Sequence, residues 1–203
     1  MSAANSSRVC GRRMPPPTTA VDLQTHVGAV SLRSPLMTAS GTAGHGDELA
    51  PYLDLARLGA VVVKSLRHEE WPGNPPPRVH QTAAGMLNSV GLQGKGVAHW
   101  LAHELPPLLD RGATVVASIW GTDVDDYARA AEMLAAAPPE VVAVEVNASC
   151  PNHHKANEMF AHSVEGIRSV TEAARAANRP LWIKLSPNVT DLPAMAAAAR
   201  EAG

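Results

Sequence analysis

Aromatic residues and an excess of basic charge are what this sequence lacks. Only 3% of its residues are aromatic, and its formal net charge is −2. Such a chain has neither the basic surface that attracts a phosphate backbone nor the aromatic platforms on which unpaired bases stack. We therefore expect no nucleic-acid partner.

Long apolar runs and cysteines are also scarce. No segment reaches the roughly 20 apolar residues that a membrane-spanning helix needs. Residues 1–20 are rich in Ser, Arg and Pro and lack the apolar centre of a secretory signal. The cysteines, Cys10 and Cys150, lie far apart, as is typical of a protein kept in a reducing compartment. We expect a cytoplasmic protein without membrane attachment, with a flexible extension over residues 1–24.

What the chain does contain is a repeated strand-then-helix pattern. An apolar strand, a polar or Gly/Pro turn and an Ala/Leu-rich helix recur five times. The predicted strands are 36–39, 61–65, 114–119, 141–146 and 181–185, and the predicted helices are 47–58, 97–110, 123–136, 164–177 and 192–202. This alternation implies an α/β fold with right-handed crossovers and a parallel sheet. Alternation alone leaves two forms open, a doubly wound sheet and a (β/α) barrel.

A polar cluster follows the fourth predicted strand. The β-branched run 141–146 leads into Asn147, Ser149, Cys150 and Asn152. In parallel α/β folds the carboxyl ends of the strands form the active face. A lone cysteine at a strand end is more often a small packed residue than a base. The polar side chains around Cys150 favour chemistry over packing.

Histidines near this cluster raise the alternative of a metal site. His153, His154 and His162 lie close in sequence, but adjacent histidines point apart and no Cys/His spacing of a zinc site is present. We predict no bound metal.

The segment 147–152, Asn-Ala-Ser-Cys-Pro-Asn, resembles the active-site motif of the dihydroorotate dehydrogenases, FMN enzymes of pyrimidine synthesis. Further segments resemble the strands and loops of that family in the same order, namely 35–42, 62–65, 73–78, 85–93 and 182–187. Together these similarities cover about residues 25–203. The loop sequences Gly-Met-Leu-Asn and Gly-Asn-Pro-Pro-Pro-Arg resemble those of the NAD-linked, two-subunit branch more than those of the fumarate-linked, homodimeric branch.

The resemblance implies oxidation of (S)-dihydroorotate to orotate in de novo pyrimidine (UMP) biosynthesis. Cys150 would be the base that removes the C5 proton, while a hydride passes from C6 to FMN. A thiol has an ordinary pKa of about 8.5, and modest lowering would suit it to accept a carbon-bound proton. The resemblance further implies a homo-oligomer and an electron-transfer partner subunit that carries FAD and an iron–sulfur cluster.

The same resemblance implies two sets of binding residues. The substrate set is Lys64, Asn88, Val90, Gly91, Leu92, Asn147 and Asn152. The cofactor set is Ala39, Ser40, Gly41, Lys64, Ser65, Ser118, Asn147 and Lys184.

Simple chemistry is consistent with these roles. Side-chain amides suit a flat ring edged with amide groups, a Gly-containing loop can converge its N–H groups on a carboxylate, and lysines can stabilise a reduced flavin. Without the resemblance, Lys64 and Lys184 could equally be snorkelling side chains and Asn88 a turn residue.

The sequence also departs from the family pattern. Ser118 stands where the NAD-linked branch often has Asn, and Trp120 stands where it has a small residue. We expect Trp120 to point away from the pocket or to reshape one edge of it.

A closed (β/α)8 barrel of the TIM type needs eight units and about 250 residues. We therefore predict a partial barrel over residues 25–203, cut before the cofactor phosphate site, which would bind FMN poorly and be unstable in isolation. Two other functions stay open: a flavin enzyme like the dihydropyrimidine dehydrogenases, and a non-catalytic half-barrel.

Overall fold

The computed structural model of the chain describes residues 21–149 and 159–203. The strands in these ranges are β1 (Thr25–Val27), β2 (Val30–Leu32), β3 (Val61–Val62), β4 (Val79–Thr82), β5 (Gly85–Asn88), β6 (Val115–Ile119), β7 (Val141–Asn147) and β8 (Leu181–Lys184). The α-helices are α1 (Val97–His99), α2 (Leu105–Asp110), α3 (Val124–Leu134), α4 (Val164–Ala174) and α5 (Leu192–Ala202). The expectations for residues 1–20, Cys150 and Asn152 lie outside the described residues.

The main sheet has four parallel strands in the order β3-β6-β7-β8. Each strand is added beside the one before it, and helix α4 packs against both α3 and α5. A doubly wound sheet would reverse its strand order at a switch point, whereas a barrel does not. The strand order therefore decides between the two forms in favour of the partial barrel.

The strands of this sheet present different residues to their two faces. In β7, Val144 and Val146 belong to the large core shared with the helices, whereas Ala143 belongs to a second cluster on the opposite face. In β8, Ile183 packs with the helix-side core and Trp182 with the second cluster. This alternation with a period of two residues defines an outer face under the helices and an inner face.

The amino-terminal end of the inner face is apolar and is closed by a hairpin. Strands β1 and β2 pair in antiparallel fashion. The hairpin and the inner face together form a buried group, called here the apolar inner cluster: Val30, Leu32, Ala60, Val62, Val116 and Ala143. The sequence did not predict this hairpin, because three-residue strands are too short to show a period.

One predicted helix, 47–58, is wrong. The segment forms turns and then a single 3-10 turn at Leu55–Arg57. Pro51 lies inside the predicted helix, where it has no N–H to donate and its ring clashes with the preceding turn. The amides around it bond three residues back, as in the hydrogen bond from Ala50 N to Asp47 O of 2.8 Å.

The predicted strand 36–39 is reduced to a single parallel bridge between Met37 and Ala60. The Thr38 hydroxyl replaces part of the backbone ladder. It accepts a 2.8 Å hydrogen bond from Val62 N and donates a 3.1 Å bond to Val62 O. A side chain that satisfies both backbone groups of Val62 leaves no partner for a longer strand.

Most of the remaining predicted elements are confirmed, but the predicted strand 61–65 is shortened to Val61–Val62, and the predicted helix 164–177 ends in a 3-10 turn at Arg175–Ala177. Asp123, Ser163 and Asp191 cap the amino ends of α3, α4 and α5. Between α1 and α2 the helix widens into a π-helical stretch, Trp100–Glu104, just before two consecutive prolines. Because prolines cannot donate to the preceding turn, a widened turn suits this position. No helix in the described ranges combines the length and apolarity needed to cross a bilayer.

Candidate active site

The carboxyl ends of the parallel strands surround a cavity of about 320 Å³. Residues from five parts of the chain line it: Ser40, Gly41, Lys64, Ser65, Asn88, Val90, Gly91, Leu92, Asn147, Ser149 and Lys184. Most of these belong to the substrate and cofactor sets proposed from the sequence. Their distant positions in the chain meet here because parallel strands end at one edge of the sheet.

A hydrogen-bonded group, called here the polar inner cluster, forms one wall and its support: Ser65, Ser118, Glu145 and Asn147. Asn147 donates to the Ser65 hydroxyl at 2.9 Å, and the Ser65 and Ser118 hydroxyls are 2.8 Å apart. Ser118 in turn donates to a carboxylate oxygen of Glu145 at 2.7 Å. Buried polar groups need such partners, so this chain of bonds holds the Asn147 amide in one orientation.

Asn147 is held from two further directions. Its side-chain oxygen accepts hydrogen bonds from the backbone N–H and the hydroxyl of Ser149, at 3.3 and 3.1 Å. Its backbone oxygen accepts a 2.9 Å bond from the hydroxyl of Tyr127 on helix α3. Three hydrogen bonds on its side chain and one on its backbone oxygen therefore fix Asn147 in the cavity wall.

Two lysines bring positive charge to the cavity. Lys184, at the end of β8, donates a 2.9 Å hydrogen bond to the Ser40 hydroxyl. Lys64 follows β3 and is half-buried. Burial, and secondly the positive charge of Arg78, lower the pKa of Lys64 from its ordinary value. An anion placed in the cavity would relieve both effects, which makes the site electrostatically suited to one.

The segment from Asn88 to Leu92 forms the outer edge of the cavity. The backbone N–H groups of Val90, Gly91 and Leu92 make no hydrogen bond within the described part of the chain. Gly91 and Leu92 have φ values of +76° and +57°. Successive backbone amides in a turn can form a concave surface that binds anions. Position 91 also requires a glycine, because a Cβ atom there would lie 2.8 Å from the backbone nitrogen of Asn74.

Among the described residues of the predicted sets, two do not line the cavity. Ala39 lies beside it, where its carbonyl accepts 3.1 and 2.7 Å bonds from the amide and hydroxyl of Thr42, a turn that presents Ser40 and Gly41. Ser118 is fully buried beneath Ser65.

The structure adds residues that the sequence prediction missed. Ser149 lines the cavity, and its position between Asn147 and Cys150 in the motif was the available signal. Glu145 was signalled by being the one charged residue of an apolar strand. Nothing local marks Asn74 or Tyr127, which act through contacts with distant segments.

Trp120 follows the first of the two expectations for it. It is only 2% exposed and is absent from the cavity lining. Its ring packs edge-on against Trp71, with 5.6 Å between centroids.

The fold and the site together define an α/β protein of the TIM-barrel class with a polar small-molecule cavity at the carboxyl ends of its strands. The crystal structure of DHODH from Eimeria tenella in complex with ferulenol is similar, with a TM-score of 0.69 at 19% sequence identity. The similarity covers 90% of this chain and 57% of that one. At this identity it shows the fold, and it confirms the predicted partial barrel.

Sequence comparison identifies the family. The model of the family described as dihydroorotate dehydrogenase matches residues 22–203. The chain belongs to the dihydroorotate dehydrogenase family, as its motifs predicted.

Curated relatives point to one branch. The chain is 39% identical over 183 residues to the "Dihydroorotate dehydrogenase B (NAD(+)), catalytic subunit" of Bacteroides thetaiotaomicron. This chain is also 42% and 40% identical to the proteins of the same name from Thermoanaerobacter sp. and Geobacter metallireducens. These matches cover 89–90% of this chain and 59–60% of each relative. The chain thus spans about 60% of the length of the curated relatives that it matches.

Proposed function

We propose that this chain provides the substrate- and flavin-facing part of an FMN-dependent dihydroorotate dehydrogenase of the NAD-linked branch. It would oxidise dihydroorotate to orotate in pyrimidine synthesis. One observation carries the proposal: a single cavity brings together two side-chain amides, two lysines and three backbone amides that have no acceptor within residues 21–149 and 159–203.

The cavity chemistry matches a small carboxylated ring. The amides of residues 90–92 would hold the substrate carboxylate, because these residues line the cavity and their N–H groups have no hydrogen-bond acceptor among the described residues. Asn88 and Asn147 would recognise the ring amides, since a carboxamide both donates and accepts. Asn152, which is outside the described residues, would join them.

The residues present also fit FMN. Ser40, Gly41 and Lys184 form a polar side of the cavity, and Lys184 is already directed there by its bond to Ser40. Lys64 adds a half-buried cation to the cavity, and Ser65 adds a hydroxyl. Ala39 would support the turn that presents Ser40 and Gly41. Ser118 would support Ser65 through the hydrogen bond between their hydroxyls. When bound, FMN supplies the acceptor for the hydride. The lysines would stabilise negative charge on that group at fixed positions.

Cys150 is proposed as the base that takes the C5 proton. It follows Ser149, which lines the cavity, so the chain enters the motif directly at the site. Negative charge that develops on a substrate bound in this cavity would face Lys64, which lines it. A partner subunit for electron transfer is part of the proposal, because the relatives are named catalytic subunits.

The two cysteines provide a matched test. The chain is loaded with FMN under anaerobic conditions and dihydroorotate is added, and flavin reduction is followed by absorbance. Cys150→Ser should slow reduction by about 100-fold or more, as expected for loss of a general base. In Cys10→Ser, dihydroorotate should reduce the flavin at the wild-type rate. Equal rates for Cys150→Ser and the wild type, or a wild-type chain with FMN shown to be bound that dihydroorotate does not reduce, would refute the proposal.

A further inference from the structure

Residues that do not line the cavity set the orientation of the backbone amides of residues 90–92. A trans peptide group is planar, and its C=O and N–H point in opposite directions. The carbonyl of each preceding residue therefore sets the direction of the next amide. The carbonyls of Ser89 and Val90 accept hydrogen bonds from Asn74, at 2.8 Å from its side chain and 3.0 Å from its backbone.

The third carbonyl is held by a tryptophan. The side-chain N–H of Trp71 donates a 3.0 Å hydrogen bond to Gly91 O, which turns the Leu92 amide to the opposite side. The backbone of Trp71 pairs with Gly94 through two further bonds of 2.8 and 2.9 Å. Trp71 therefore grips the segment on both sides of Leu92.

Trp71 is itself fixed to the barrel wall. The guanidinium carbon of Arg67 lies 5.0 Å from the centroid of the Trp71 ring, in a cation–π contact. Arg67 donates to both carboxylate oxygens of Asp126, at 2.8 and 3.2 Å. Asp126 belongs to helix α3 and also accepts 2.7 Å bonds from the amide and hydroxyl of Thr122. The contacts run unbroken from α3 to the cavity edge.

We infer that Trp71, braced by Arg67 and Asp126, is a positioning residue that aims the backbone amides of residues 90–92 at the carboxylate of the substrate. The inference deepens the proposed function and rests on it for the identity of the ligand. Trp71 does not line the cavity, so it acts through Gly91 rather than by touching the ligand. Its role is to make the site select for the carboxylate rather than for the ring.

Two tryptophan substitutions separate this role from general packing. Trp71→Phe keeps an aromatic ring but removes the N–H that holds Gly91 O. Trp120→Phe makes the same chemical change in the neighbouring ring, whose N–H is buried without a partner in the described part of the chain. The probes are orotate and orotate methyl ester, which differ in the charge of the carboxyl group, and affinity is measured by calorimetry.

Trp71→Phe should weaken orotate binding about three- to tenfold, the effect of one hydrogen bond, and should change binding of the ester much less. Trp120→Phe should bind both probes like the wild type. Asn74→Ala, which removes the hold on Ser89 O, should repeat the orotate-selective loss and serves if Trp71→Phe does not fold. Equal losses for acid and ester, or a Trp71→Phe protein that binds orotate like Trp120→Phe, would overturn the inference.

NMR order parameters of the amides of residues 90–92 give a readout without any ligand. Trp71→Phe should lower these order parameters below those of both the wild type and Trp120→Phe, because Gly91 O loses its hydrogen bond. If the wild type binds no orotate while the order parameters fall in this way, the proposed function fails and the positioning of the loop stands. If the order parameters are unchanged in Trp71→Phe, the inference itself is refuted, whatever the ligand.

Discussion

The two ends of the sheet's inner face are built from the same strands but from opposite kinds of residue. On β6, Val116 and Ser118 are both fully buried and lie two residues apart on that face. Val116 packs with the other members of the apolar inner cluster, which the β1–β2 hairpin closes. Ser118 is bonded to Ser65 and Glu145 in the polar inner cluster. Burial alone therefore does not decide which residue is tolerated, whereas the available partners do.

This difference separates stability from chemistry within one sheet. The apolar end gains its stability from removing surface from water, which requires no particular orientation of a side chain. The polar end depends on directional bonds, so each member orients the next until Asn147 faces the cavity. The same strands can thus hold the fold at one end and present functional groups at the other.

The largest effect is expected from breaking the apolar end. Val116→Asp would place a carboxyl group where no hydrogen-bonding partner lies within the apolar inner cluster. We expect a loss of more than about 4 kcal/mol in the free energy of unfolding, measured by urea denaturation. Val79→Asp on β4, where the side chain is 55% exposed, is the control and should change stability by less than about 0.5 kcal/mol. A Val116→Asp protein of wild-type stability would contradict the comparison.

The next effect concerns a charge that is buried with its partners. Asp126→Asn removes the carboxylate that pairs with Arg67, and both side chains are at most 10% exposed. Breaking such a pair should cost about 3 kcal/mol of unfolding free energy at pH 7.

This pair also predicts a pH dependence. Burial by itself would raise the pKa of Asp126, but hydrogen bonds from Thr122 and the pairing with Arg67 outweigh it and lower the pKa. A lowered pKa contributes stability that is fully present above about pH 4, the unfolded value, and is lost as the pH falls through the folded value. Asp126→Asn should lack this component of acid destabilisation. Parallel stability curves for the two proteins down to low pH would contradict this assignment.

A smaller effect is expected from making the polar end apolar. Ser118→Val replaces the hydroxyl with methyl groups and leaves the Ser65 hydroxyl and the Glu145 carboxylate without their shared partner. We expect a loss of about 2 kcal/mol in unfolding free energy and weaker orotate binding, as Asn147 loses its fixed orientation. Ser31→Val, on an exposed position of β2, is the control for the substitution itself. Orotate binding at wild-type strength in Ser118→Val would separate the polar inner cluster from the site.

The smallest effect is a shift in the pH dependence of binding. Burial and then the charge of Arg78 lower the pKa of Lys64. Affinity for an anion should therefore fall as the pH rises through the Lys64 pKa, where its charge is lost. Arg78→Gln removes the second cause and should move this fall to higher pH, as measured by orotate titrations between about pH 7 and pH 10. The control is Arg129→Gln on exposed α3 surface, and an unshifted midpoint in Arg78→Gln would refute the coupling.

The sequence by itself determined the elements whose signals are local. Hydrophobic period predicted strands β6, β7 and β8 and the polar residues at the strand ends, and capping chemistry helped to predict helices α3 to α5. The family motifs predicted the barrel and the family. The roles of the predicted site residues stay predictions, and Cys150 and Asn152 are outside the described residues.

Only the tertiary structure decided the rest. Three features show this, and each joins segments that are well separated in the chain. The Thr38 side chain bonds to Val62 where a longer strand was predicted, the β1–β2 hairpin covers the inner face, and Trp71 donates a hydrogen bond to Gly91. Local sequence carries no record of such contacts, because each residue's partner is chosen by the packing of the whole sheet. The cavity follows the same rule: its residue types were readable from the sequence, but their orientation depends on bonds that only the folded chain brings within reach.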